Sequence, residues 1–252
     1  MKPVPIGRHV HFGTAVRYLQ DCEAGWPVFG EGYTLQNLDA FFAYLQENEL
    51  RVTERAAWDL FTFADELRTL AAEHKLTAAE AKKLGEMMAR VRATLDAEAL
   101  GRFAYIVTEK RLQVPRLLDD VGGLMAPGVF EKLPPIAKYD LAEAGKCTAF
   151  ERPTAAAFHL LRGTEATLRQ FYCCIVKRDR VSPLLWGPMI DSLRARKTPP
   201  PKPMLDNLDN IRHSFRNPTQ HPEKIYDIQE VQDLFGLCID VISRMATSPH
   251  WK

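Results

Sequence analysis

The stretch SFRNPTQHP (214–222) sets Arg216 and Asn217 ahead of a proline and His221 just behind it. An arginine offers a planar fork for phosphate oxygens, and an imidazole titrates near neutrality and suits proton transfer. Held side by side, such a pair could bind a phosphodiester and move a proton on it. The same letters also fit an arginine complementing a helix C-terminus, followed by an Asn-Pro turn.

Spacing alone does not separate these readings. With 20 arginines and 7 histidines in the chain, chance supplies about 1.7 Arg–His pairs with four to six residues between them. Four occur: Arg68/His74, Arg152/His159, Arg244/His250 and Arg216/His221. Only the last spans a short break between two strongly amphipathic patterns. Pro218 disfavours helical geometry at Asn217, which predicts a helix that stops with Arg216 in or just past its last turn. The chain must then reverse before a helix capped by Asp227, so Arg216 and His221 come to one end of a helical hairpin.

A second irregularity lies in AAAFHLLRGTEATLRQFYCCIV. Its apolar stripe runs Phe158, Leu161, Glu165, Leu168, Tyr172, Ile175, with Glu165 at a seam position where leucine is expected. A carboxylate there needs a partner. Arg162 and Arg169 are in reach on the same helix, and Arg216 is in reach across the hairpin.

The elements that must position these residues are mostly helices. The first thirty-odd residues read as irregular because five glycines, from Gly7 to Gly32, interrupt them. Helical patterns follow at Leu38–Leu45, at Trp58–Ala71 (Trp58, Phe61, Ala64, Leu67) and from a Thr77–Glu80 capping box onward. FAYIVT (103–108) is the one good strand candidate, read as a short β ribbon or as part of a helix. Glycines and prolines to Pro135 read as a connector, dividing residues 1–130 from 131–252. The second half reads as helices at 136–147, 154–176 and 184–196, then one carrying Met204, Leu205, Leu208, Ile211 and Phe215. A last helix opens at Asp227-Ile-Gln-Glu230.

Composition excludes several classes. The hydrophobic share of 46% and charged share of 26% are those of a globular protein. Five cysteines without a CxxC pair fit neither a disulfide framework nor a zinc ribbon and suit a reducing cytoplasm. No leader or apolar span is legible, so no membrane association is expected. Net charge is +1, but residues 131–252 hold 18 Lys and Arg against 14 Asp and Glu, or +4. That bias is compatible with a polyanionic partner.

Two blocks resemble the HEPN superfamily of helical bundles. DLAEAGKCTAFERPTAAAFHLLRGTEATLRQFY (140–172) is similar to its paired helices, and LDNIRHSFRNPTQHPEKIYDIQEVQDLF (208–235) to its Arg-Asn-Pro-Thr-x-His block. The resemblance covers about residues 136–246. It implies an antiparallel HEPN-like bundle at 131–252, preceded by a helical accessory or sensing region. It further implies a metal-independent, cofactor-free endoribonuclease of prokaryotic defence or toxin systems, working as a homodimer with a composite site. Arg216, Asn217 and His221 would be catalytic, with Glu165 and Arg162 supporting them. RNA is the expected substrate, and an activator or regulatory protein an expected partner. Pro222-Glu223-Lys224-Ile225 precede Tyr226, which departs from the family members that carry a modifiable tyrosine two residues after the histidine. The alternative is a catalytically silent module that dimerises or binds RNA, nucleotide or protein.

The remaining candidates are weaker. Lys177, Arg178, Arg194, Arg196 and Lys197 could form an RNA-binding rim or a solvated loop. His9 and His11 alternate as on a metal-binding strand, without a third ligand. Tyr18, Trp26 and Phe29 fit core packing better than base stacking, and His159 reads as structural.

Overall fold

Residues 4–176 and 183–251 are described by the computed structural model, and among them the chain is mostly α-helical with no strand. Two compact units divide it at Ala104/Tyr105.

In the first unit, helices α1 (Ile6–Gln20), α2 (Thr34–Glu47), α3 (Arg51–Ala56), α4 (Trp58–Arg68) and α5 (Ala78–Ala99) enclose a core of leucines, Phe41, Phe63 and methionines. The capping box forms as its residues dictate: Thr77 Oγ1 accepts from Glu80 N, and the Glu80 carboxylate accepts from Thr77 N. Two expectations are corrected. The segment expected to be irregular is largely α1, because Gly7 and Gly13 face open space while Ala15, Val16 and Leu19 bury. Packing of that apolar end outweighs the roughly 1 kcal/mol that each glycine costs a helix. His9 and His11 therefore lie on a helix, and the His9 ring meets the Tyr44 hydroxyl at 2.5 Å. In α4 the buried stripe is Leu60, Phe63, Ala64 and Leu67, leaving Trp58 and Phe61 exposed.

The expected β ribbon at 103–108 is absent. A strand needs a partner to satisfy its backbone, and here Phe103, Tyr105 and Ile106 stand in solvent as irregular chain.

The second unit begins earlier than the connector suggested. Short helices α6 (Val114–Asp119) and α7 (Val129–Lys132), with a 3₁₀ turn Val121–Leu124 between them, bury Leu117, Val121, Met125 and Val129 in the C-terminal core. Short length hid them: four to six residues carry no readable period. The rest is α8 (Pro135–Ala149), α9 (Pro153–Ile175), α10 (Trp186–Arg194), α11 (Lys202–Ile211), a π turn (Arg212–Arg216), α12 (Asn217–Thr219) and α13 (Ile228–Ala246). Helix α9 is central and packs against α8, α10 and α13. Asp227 caps α13 in a capping box with Glu230. Pro188 sits in the first turn of α10, where its missing N–H costs nothing.

Close approach of α6 to α8 depends on Gly145, where an added Cβ would lie 2.3 Å from the Leu117 carbonyl oxygen. Alanine gains about 1 kcal/mol of helix propensity there, but displacing backbone costs about 1–3 kcal/mol or more. Gly145→Ala is therefore expected to be net destabilising, read as a fall in thermal midpoint. Gly85→Ala, in α5 and facing open space, should raise it.

Candidate functional site

Helices α8 and α9 approach closely where Gly163 faces α8: a Cβ there would stand 3.3 Å from Asp140 Cβ. That proximity lets a short aspartate side chain span the seam. Asp140 is fully buried, and a buried charge is tolerated only with partners. Arg162 supplies a two-pronged one, Nε donating to Oδ2 at 2.7 Å and Nη2 to Oδ1 at 2.5 Å. His159 Nδ1 adds a third contact, to Oδ1 at 2.9 Å. The hydrogen bond to Asp140 holds the Arg162 guanidinium above its usual pKa. His159 and Arg162, three apart on α9, share the face this requires. The Tyr139 ring and the imidazole form a T-shaped pair, centroids 6.4 Å apart.

One turn further along α9, the half-buried Glu165 carboxylate takes two of the three partners open to it in the sequence. Arg169 donates to Oε1 at 2.6 Å, and Arg216 Nη2 lies 3.6 Å from Oε2. Arg162 does not serve Glu165; Asp140 has it. Phe158, His159, Leu161, Arg162, Glu165, Arg216, Thr219 and Gln220 line a groove of about 390 Å³.

Arg216 lies in the last turn, but the expected loss of helical geometry at Asn217 is not observed. Asn217 is helical (φ −65°, ψ −49°), and its N–H reaches back five residues to the Arg212 carbonyl. Widening to a π turn makes room for the Pro218 ring, which in a regular helix would press on the carbonyl four residues back. The Phe215 carbonyl in this turn accepts from two side chains. Thr219 Oγ1 donates to it at 2.6 Å and the Tyr226 hydroxyl at 3.1 Å. The two hydroxyls lie 2.7 Å apart. Arg216 thus projects from a π turn locked from below, rather than from a fraying helix end.

His221 follows in the turn, its N–H on the Pro218 carbonyl at 2.9 Å. Its ring is exposed and does not line the groove, nor does exposed Asn217. The turn itself is clamped: Lys224 Nζ donates to Glu230 at 2.7 Å and stands over the Tyr226 ring at 4.4 Å. Of the expected RNA-binding residues, Lys177 and Arg178 lie outside the described residues. Arg194 is paired with Asp206 and Asp209, and neither it, half-buried Arg196 nor exposed Lys197 lines the groove. Among the described residues no His, Cys, Asp and Glu cluster is arranged to hold a metal, and no helix is long and apolar enough to cross a membrane.

Sequence reading missed Asp140 and took His159 as merely structural. A signal existed: Asp140 stands between Ala137 and Ala144 on the buried stripe of α8, the same irregularity that drew attention to Glu165. Compared with known proteins, the chain matches no family model, no curated protein and no solved structure.

Removing the Tyr226 hydroxyl should loosen the π turn. Tyr226→Phe is expected to cost about 1 kcal/mol, measured by denaturant unfolding. The clamp behind it carries a pH signature. Glu230 sits below the usual carboxylate range because Lys224 and the Asp227 N–H hold its charged form. A lowered folded value means stability present above the unfolded carboxylate range and lost as pH falls through the folded one. Wild type should therefore melt above Glu230→Gln at neutral pH, with the gap closing in acid; a constant gap would contradict the clamp.

Proposed function

We propose that this chain is a metal-independent endoribonuclease of the HEPN type, cutting RNA as a homodimer in a prokaryotic defence or toxin setting. The observation that carries the reading is the Glu165–Arg216 pair, which holds a guanidinium at a groove on the bundle surface. Arg216 sits where it can take phosphate oxygens and stabilise the charge that develops on them. His221, one residue beyond Gln220 at the groove, transfers a proton, and Asn217 holds the histidine or the phosphate. A dimer doubles both groups. Products carry a 2′,3′-cyclic phosphate and a 5′-hydroxyl. The Arg-Asn-Pro-Thr-x-His block and the paired-helix block support the assignment through resemblance.

One observation favours a second reading, a silent module binding RNA, nucleotide or protein through the same groove. The His221 ring stands outside the groove lining.

RNA incubated with the protein in excess EDTA separates the two. Cleavage by wild type, falling at least 100-fold in Arg216→Ala and His221→Ala, is expected, with a dimeric mass by light scattering. Cleavage that persists in both variants, or that needs a divalent ion, would overturn the mechanism. Wild type that binds RNA without cutting it supports the silent module.

A further inference from the structure

We propose that His159, held by Asp140, is the general base of this groove, taking the 2′-hydroxyl proton of an RNA strand bound at Arg216. The inference rests on the endoribonuclease reading and changes which residues perform it.

Three observations carry it. First, His159 lines the groove together with Arg216, whereas His221 does not. Second, its tautomer is fixed. A carboxylate has only acceptors, so the Nδ1 atom 2.9 Å from Asp140 Oδ1 bears the proton. In the neutral ring the lone pair is then on Nε2, the nitrogen left for a ligand in the groove. Third, the ring is held in place. Asp140 is fully buried and itself gripped by Arg162, and the Tyr139 ring makes a T-shaped contact with the imidazole. An imidazole oriented by a buried carboxylate through Nδ1 is the arrangement general-base catalysis uses. The His221 ring has no hydrogen bond among the described residues. A solvated, unheld imidazole is a poor partner for a step that depends on alignment, yet it can meet a leaving group at the groove rim.

The step balances without a co-reactant. Nε2 of His159 takes the 2′-hydroxyl proton, and the 2′ oxygen bonds to the adjacent phosphorus while Arg216 faces the phosphate oxygens. The bond from phosphorus to the 5′ oxygen breaks, and that oxygen takes a proton from protonated His221. Base and acid are then both present in one protomer, and the dimer is not required to bring two histidines together.

The test compares His159→Ala, His221→Ala and Arg216→Ala in single-turnover cleavage of an RNA oligonucleotide in EDTA. A second substrate carries sulfur in place of the bridging 5′ oxygen, a leaving group that needs no proton. His159→Ala should lose at least 100-fold on both substrates and recover with added imidazole, while keeping a cooperative melt because the Arg162–Asp140 pair remains. His221→Ala should recover on the sulfur substrate. His159→Ala within threefold of wild type, beside inactive Arg216→Ala, would overturn the inference and leave the endoribonuclease reading standing. Rescue of His159→Ala by the sulfur substrate would make it the acid and also overturn the proposal. Absence of cleavage by wild type defeats the endoribonuclease reading itself, and the base assignment with it. Loss in His159→Ala without imidazole rescue, together with a collapsed melt in both His159→Ala and His159→Gln, would assign the residue to structure.

Discussion

A fully buried carboxylate organises the α8–α9 seam. Asp140 has no access to water, so its charge must be met by protein, and the partners available are Arg162 and His159 on the facing helix. Meeting it fixes the rotation of α9 about its axis. With that rotation set, Glu165 one turn further on comes to the side where Arg216 stands. The groove is thus a consequence of satisfying one charge in the interhelical seam. Gly163 is the geometric condition, because a side chain there would hold α8 away from α9.

The opposite wall depends on a different constraint. Pro218 lies within a continuing helix and would ordinarily break it. The π turn absorbs the ring, and the Thr219 and Tyr226 hydroxyls both donate to the Phe215 carbonyl. Burial pushes the Tyr226 phenol up, so it remains a hydrogen-bond donor at ordinary pH. Such turns recur at functional sites, and here one sets the position of Arg216 by side-chain hydrogen bonds rather than by helix continuity.

The two walls differ in what they ask of the chain. The Asp140 charge is met within the seam by Arg162 and His159, and the Lys224–Glu230 clamp holds the turn that carries His221. The Glu165–Arg216 contact is the looser one, at 3.6 Å. A guanidinium held by a carboxylate at that distance keeps donors for an incoming anion, whereas Arg162 commits its Nε and Nη2 to Asp140.

Much of this was legible in the sequence, for identifiable reasons. Helix periodicity located α2, α5, α8, α9, α11 and α13, and the Thr77 and Asp227 capping boxes gave two starts, because these are local properties of neighbouring residues. The seam acid Glu165 and its possible partners were also readable, since a carboxylate on an apolar stripe is a local contradiction. What the sequence could not give was the choice among partners. Asp140 lies 22 positions from Arg162, and its claim on that arginine leaves Glu165 to Arg169 and Arg216. Nor could it show that Pro218 would be accommodated rather than end the helix, because the compensating hydroxyl comes from Tyr226 in a turn seven residues beyond Thr219. Local spacing determined which helices form and which residues are out of place on them. Only the tertiary structure decided which charge meets which, because that choice is made by burial and by contacts between helices distant in the chain.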